Sequence, residues 1–139
     1  MDIAYAITPF LAWFAAGTLK FIINSCRARR LAFGQIGYGG LPSNHSAIVS
    51  STAALIAFRE GMSHPAFGVA VTIAFVVMMD ANSLRRHVGK QAEAINMLLH
   101  DEAQNKRVRE RMGHTPAEIG AGLTIGIIVA WVIYEGLGR

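Results

Sequence analysis

The long apolar segments of the chain restrict its fold more than any other feature. The first runs from Ile3 to Ile23 and is long enough to cross a bilayer. Two more follow at Pro65–Asp80 and Ala117–Gly136, and a shorter segment reaches spanning length only if Ser43–Phe58 is helical throughout. Segments of this length and polarity are typical of transmembrane helices, so the pattern indicates up to four spans.

The composition supports a location in the membrane. Hydrophobic residues make up 53% of the chain and charged residues only 16%, whereas a soluble domain has roughly a quarter of its residues charged. The sequence therefore predicts an all-α integral membrane protein that forms a single membrane domain over residues 1–139. We expect a small helical bundle of about four transmembrane helices plus a polar cytoplasmic helix near Leu84–Leu99, with Ser63 as the N-cap of the third span.

The basic residues form clusters that four alternating spans would place on one side of the membrane. The clusters are Arg27–Arg30 after the first span, Arg85, Arg86 and Lys90 after the third, and Lys106–Arg111 before the fourth. By the positive-inside rule that side is the cytoplasm, which places the protein in the cytoplasmic (inner) membrane. The polar loops lie on the same side, and ionisable groups held at a membrane indicate a functional site, here facing the cytoplasm.

The segment GGLPSNHS, residues 39–46, joins a glycine pair to the start of the second apolar segment. Pro42 disfavours helix before it, and Ser43 is a favoured N-cap for the helix that follows. The free N–H groups of such a first turn bind anions. His45 projects from the same turn, where it can donate a proton to an oxygen leaving a phosphorus centre. The alternative is a capped helix whose histidine has no chemical role.

A polar segment after the third span carries an acid, two arginines and a histidine. Asp80 lies roughly one to two helical turns before Arg85 and Arg86. Guanidinium groups suit phosphate, and Asp80 can orient an arginine or a histidine. Because adjacent residues on a helix do not share a face, we expect Arg86 and His87 to point in different directions. The alternative is that both arginines contact lipid headgroups.

Lys20 lies near the cytoplasmic end of the first span. It precedes Arg27 by seven residues, so both share one stripe of the helix. The lysine is therefore a candidate cation for the same phosphate. The alternative is a lysine that snorkels to the membrane surface.

The fourth span opens with GHTPAE, residues 113–118. Thr115 and Glu118 match a capping box, with Pro116 at the first helical position. The cap gives His114 no role, although this histidine lies on the side of the candidate site. The charged run before it, residues 101–113, is most simply a solvated connector.

Together with Lys20, the segments GGLPSNHSA, DANSLRRHVGKQAEAIN and GHTPAEIGAGLT resemble the signature blocks of the divergent PAP2 family. These are small membrane proteins described as related to a superfamily that contains acid phosphatases and vanadium-dependent haloperoxidases. By this resemblance, Lys20 and Arg27 match the first motif of that superfamily, a lysine seven residues before an Arg-Pro, with Ala28 in place of the proline. Arg29 or Arg30 could serve instead of Arg27.

The same resemblance implies further roles for the polar residues. Pro42-Ser43-Asn44-His45 matches a Pro-Ser-Gly-His motif in which asparagine replaces glycine, and its histidine would protonate the leaving group. Arg85 or Arg86 matches the arginine of a third motif. The residues implied to bind the substrate phosphate are Lys20, Arg29, Ser43, Asn44, Arg85 and Arg86.

The nucleophilic histidine of the superfamily has no counterpart at its expected position. That position falls at Gln91 or Ala92, and neither residue can form a phospho-enzyme. The orienting aspartate of the superfamily would fall at Ile95 or Asn96. His114 is favoured as a substitute because the cap does not account for it. The open candidates are His87, His114 and a water activated by Asp80.

The resemblance implies a membrane lipid-phosphate phosphatase. Its substrate would be a phosphomonoester or diphosphate of a lipid, such as phosphatidic acid, phosphatidylglycerophosphate or a polyprenyl diphosphate. We expect no metal or other cofactor and no nucleic acid partner; the expected partners are the bilayer and the lipid phosphate, with a homodimer left open. One alternative is a non-catalytic lipid-phosphate binder that serves as a scaffold or transporter component. A less favoured alternative is a vanadate-loaded haloperoxidase.

Overall fold

The described part of the chain is entirely helical. The computed structural model describes residues 3–31, 40–98, 107–110 and 112–137, and these contain five α-helices and no strand. The helices are α1 (Ile3–Ala28), α2 (Asn44–Glu60), α3 (Pro65–Asn82), α4 (Leu84–Leu98) and α5 (Pro116–Gly136). The prediction of an all-α fold is confirmed, as is the helix expected near Leu84.

Within the described residues, three helical segments are long and apolar enough to cross a membrane. They are α1, the continuous stretch Pro65–Leu98 and α5. The shorter apolar segment, which follows α1 in the chain, forms α2. This helix has only 17 residues. Large apolar side chains such as Phe10, Phe75 and Trp131 point outward and are exposed. A bundle with apolar side chains outside suits a lipid environment, so the chain is a membrane protein.

Small residues form the interior of the bundle. On α1 the buried positions recur every fourth residue, at Ala4, Thr8, Ala12 and Ala16, which is one stripe of the helix. Lipid tails are as apolar as a leucine side chain, so association of helices in a membrane depends on close van der Waals packing, which small residues permit. The buried stripe of α1 thus fixes which side of that helix faces α2.

Helix α2 is the centre of the bundle and packs against α1, α3 and α5. Its closest partner is α5, where Gly122 lies against the Ser43 carbonyl and the Ser46 side chain. One turn further along α5, Gly126 lies against the Ser50 side chain and the Ala47 carbonyl. The absence of a side chain at both glycines permits this close packing of α5 on α2.

The helix ends follow their capping residues. The Ser43 side chain accepts the Ser46 N–H, and Thr115 and Glu118 form the predicted capping box. The expected N-cap of α3, Ser63, is wrong. His64 caps that helix instead, because Pro65 is already its first residue, and the His64 Nδ1 accepts the Ala66 N–H at 3.2 Å.

Replacing Gly126 with alanine should destabilise the protein. A β-carbon there would collide with Ser50 and the Ala47 carbonyl, so we expect a loss of about 1–3 kcal/mol in the free energy of unfolding in detergent. Gly120→Ala is the matched control, because a β-carbon at Gly120 meets open space. The control should be neutral or gain roughly 0.5–1 kcal/mol from reduced chain entropy. Equal stability of the two variants would contradict the close α2–α5 contact.

A cationic cavity with two histidines as the candidate active site

The polar residues of four separate elements meet around one cavity of about 300 Å³. The cavity lies at the end of the bundle where α2, α4 and α5 begin. Its polar lining residues are Lys20, Asn44, His45, Arg85, Arg109 and His114. Its apolar lining residues include Trp13, Ile48 and Met112. Five of the ten sequence candidates, namely Lys20, Asn44, His45, Arg85 and His114, therefore line the same cavity.

Helix α1 positions Lys20 through its buried stripe. Lys20 follows Ala16 by four residues and continues the stripe of α1 that faces α2. Arg29 lies beyond the end of α1, in a turn with a positive φ, and its side chain is exposed. The structure thus brings Lys20 to the cavity and leaves Arg29 away from it.

The start of α2 is held in place by α5. The Ser43 N–H donates to the Glu118 carbonyl at 2.9 Å, and the Ser46 hydroxyl donates to Ser43 Oγ at 3.0 Å. Ser43 is fully buried and does not line the cavity. It therefore serves as the cap, while Asn44 and His45 form the first turn, whose N–H groups have no partner within the helix. Gly39 of the expected glycine pair lies outside the described residues.

Arg85 connects His45 with Asp80. The Arg85 Nη2 donates to His45 Nε2 at 3.1 Å, and Arg85 Nε lies 3.8 Å from Asp80 Oδ2. Because a guanidinium can only donate, His45 Nε2 must be the unprotonated nitrogen. The ring proton therefore lies on Nδ1, which is buried and has no hydrogen-bond partner among the described residues.

The next two residues of α4 point elsewhere. Arg86 and His87 are both exposed, and neither lines the cavity. Successive residues on a helix are turned by about 100°, so only one of the three neighbouring side chains of this segment reaches the cavity. The structure selects Arg85 from the two arginines that the sequence left open.

His114 is paired with Glu118. Its Nδ1 lies 3.1 Å from Glu118 Oε2, its ring is 6% exposed, and its backbone N–H donates to the Ala81 carbonyl at 3.0 Å. The centroids of the His45 and His114 rings are 6.3 Å apart. Burial lowers the pKa of His114 below its ordinary value, while the hydrogen bond to Glu118 acts in the opposite direction. Because a carboxylate can only accept, the contact with Glu118 places a proton on His114 Nδ1.

Arg109 is a cavity residue that sequence reasoning missed. We expected its segment, residues 101–113, to be a solvated connector. Arg107 and Glu110 are exposed, as expected. The expectation is wrong for Arg109, which lines the cavity. The Asn96 side chain fixes this segment, because its amide both donates to the Val108 carbonyl and accepts the Val108 N–H, each at 2.7 Å. No local sequence pattern indicates such a contact between distant residues.

Comparisons with known proteins identify one family. Residues 2–129 match the family model described as the divergent PAP2 family. The chain is also 30% identical over 135 residues to a Bacillus subtilis (strain 168) protein described as an uncharacterized membrane protein, YuiD, with 85% of each chain covered. No solved structure matches the chain.

Removing the Asn96 side chain should release the segment that carries Arg109. Loss of the two hydrogen bonds to Val108 should speed amide exchange at Val108 roughly tenfold, measured by hydrogen–deuterium exchange of Asn96→Ala. Gln91→Ala, at an exposed position of the same helix, is the control and should leave this exchange unchanged. If Asn96→Ala exchanged at the wild-type rate, the side chain would not be what holds the segment.

Proposed function

The chain belongs to the divergent PAP2 family, and we propose that it is a membrane phosphatase that hydrolyses a phosphomonoester or diphosphate of a lipid. One observation carries the proposal: three cationic side chains and two histidines surround a single cavity at the end of a membrane bundle. The cations are Lys20, Arg85 and Arg109. Lysine and arginine at a helix N-terminus form a site for a phosphate group.

The cations of the cavity favour an anionic substrate. Among the described residues, Asp80 lies beside Arg85 and Glu118 contacts His114. The lysine and the two arginines that line the cavity would attract a phosphate dianion. The same cations would stabilise the charge that develops on the phosphoryl oxygens during transfer. This charge can come from the side chains alone, so we propose a reaction without a metal cofactor.

His114 is the nucleophile in this proposal. Its Nδ1–H is engaged by Glu118, so its lone pair is on Nε2, whereas the lone pair of His45 already accepts from Arg85. His114 Nε2 would attack phosphorus, forming the N–P bond as the bond from phosphorus to the lipid oxygen breaks. The exposed His87 is remote from this event, and Asp80 serves to orient Arg85.

His45 is the general acid and base. A phosphoryl oxygen is a stronger acceptor for a guanidinium than an imidazole, so substrate would draw Arg85 away from His45 Nε2. His45 could then carry a second proton and give it to the leaving lipid oxygen. In the second half of the reaction, water would attack phosphorus, His45 would take the water proton, and the N–P bond would break to free His114 and inorganic phosphate.

The apolar part of the cavity suits a lipid tail. Trp13 and Ile48 line the cavity, and they lie deeper along α1 and α2 than Lys20 and His45 do. A substrate phosphate among the cations would therefore place its hydrocarbon chain along Trp13. The basic cluster Arg27–Arg30 follows α1 directly, which supports a site facing the cytoplasm of the inner membrane. In this arrangement α2 also crosses the membrane, which gives four spans, and α4 is the polar helix at the surface.

A second candidate function is a lipid-phosphate binder without turnover, acting as a scaffold or transporter component. The observation in its favour is that the superfamily position of the nucleophile holds Gln91 or Ala92. Binding and catalysis use the same cations, so phosphate affinity does not separate the two functions. Turnover separates them.

Purified protein in detergent should release inorganic phosphate from lipid phosphates. Because each histidine has its own chemical step, His114→Ala and His45→Ala should each lower kcat by at least about 10²-fold. His87→Ala is the matched control and should keep the wild-type rate, since His87 is exposed outside the cavity. Orthovanadate should inhibit, and EDTA should have no effect. Phosphate binding without release from any lipid phosphate would favour the binder.

Trp13→Ala should weaken the enzyme for long-chain substrates only. Loss of the aromatic wall should raise KM roughly tenfold for a long-chain lipid phosphate and leave a short-chain, water-soluble phosphomonoester unaffected. Trp131→Ala is the control, because Trp131 is 55% exposed against 54% for Trp13 but lies on α5 outside the cavity. Equal effects of Trp13→Ala on both substrates would argue against a tail beside this residue.

A further inference from the structure

Glu118 connects both histidines of the cavity. Its Oε2 accepts from His114 Nδ1 at 3.1 Å and from the Thr115 N–H at 3.0 Å, and its carbonyl accepts the Ser43 N–H at 2.9 Å. We propose that Glu118 is a positioning residue of the phosphatase, which holds His114 with Nε2 toward phosphorus and compensates the positive charge of the phosphorylated ring. The inference rests on the proposed function, because it assigns the group that supports its nucleophile.

A capping box alone does not explain the contact with His114. The cap requires the Thr115 hydroxyl and the Glu118 side chain, and a glutamine would serve it equally well. Here the carboxylate also contacts an imidazole, and the Glu118 side chain is only 17% exposed. A carboxylate that accepts an imidazole N–H fixes the tautomer and the direction of the ring, which a helix cap does not need.

The charge of Glu118 matters when the N–P bond forms. His114 then carries phosphorus on Nε2 while its Nδ1 keeps the proton, so the ring becomes positive. The groups facing it from the other elements are Lys20 on α1, His45 on α2, Arg85 on α4 and Arg109 on the connector. All of them are basic and oppose a positive ring. Glu118 is the anionic group in direct contact with it and lowers the energy of this intermediate.

The backbone of Glu118 has a separate role. Its carbonyl holds the Ser43 N–H and with it the first turn of α2, which carries His45. This bond helps set the 6.3 Å separation of the two rings. A side-chain substitution at Glu118 leaves the backbone bond in place, so the effect of the carboxylate can be measured with the ring separation preserved.

Glu118→Gln tests the proposal. The amide keeps an acceptor for Thr115 and His114 but removes the charge, so kcat should fall at least about tenfold while KM and the melting temperature change little. The neutral form of His114 is the reactive one, and loss of a nearby negative charge favours that form. The acid limb of the pH profile should therefore move to lower pH. Unchanged kcat and an unchanged acid limb would overturn the proposal.

Thr115→Ala is the matched control. It removes the hydroxyl half of the cap and leaves the His114–Glu118 contact, so stability should fall by about 1 kcal/mol with the pH profile unchanged. If this variant moved the acid limb as Glu118→Gln does, Glu118 would act only through the cap, and the proposal would fail.

Nitrogen NMR of histidine-labelled protein separates this inference from the proposed function. Wild-type His114 should carry its proton on Nδ1, Glu118→Ala should lose that preference, and Glu118→Gln should titrate at lower pH than wild type. This readout requires no turnover. If wild-type protein released no phosphate but the tautomer depended on Glu118, the phosphatase would fail and the positioning role would stand. A tautomer independent of Glu118 would overturn the role even in an active enzyme.

Discussion

The close contact between α2 and α5 is the constraint on which the site depends. Gly122 and Gly126 have no side chain, so the backbone of α5 comes against the Ser43 and Ala47 carbonyls of α2. At this distance the Ser43 N–H reaches the Glu118 carbonyl. The two helices both begin at the cavity, so their N-terminal N–H groups and the positive ends of their dipoles converge there. A larger residue at either glycine would separate the helix starts and the two histidines with them.

Local sequence patterns were sufficient to predict most of the fold. The apolar segments indicated the helices, and Ser43 and the Thr115–Glu118 pair indicated where two of them begin, because a cap is an interaction among neighbouring residues. Lys20, His45, Arg85 and His114 were selected as site candidates, and they line one cavity. His45 and Arg85 lie at helix starts and His114 lies just before a cap, whereas Lys20 lies within α1, about two turns before its end. Ionisable residues held at a membrane are costly, and this is why they were selected.

The remaining part of the site depends on helix rotation and on contacts between distant residues. A sequence cannot tell Arg85 from Arg86 when both lie on one short helix, since the packing of α4 on α3 decides which side chain faces inward. Arg109 reaches the cavity because Asn96 holds Val108, and because Gly89 lets the Glu110 carbonyl lie against α4. The partners in these contacts are separated by more than ten residues, and neither contact has a characteristic spacing.

In the proposed phosphatase, the position of Glu118 would resolve a conflict in the electrostatics of the phosphate site. A carboxylate among the phosphate-binding cations would repel the substrate, yet a histidine nucleophile needs a negative partner when its ring becomes positive. Glu118 would meet both requirements because its carboxylate lies at the start of α5, where the Thr115 N–H and the helix dipole partly neutralise it. Its remaining contact is with His114 Nδ1, on the edge of the ring remote from Nε2. A bound phosphate would therefore meet the cations first and the carboxylate only through the imidazole, which is the arrangement that the proposed histidine nucleophile in a cationic cavity requires.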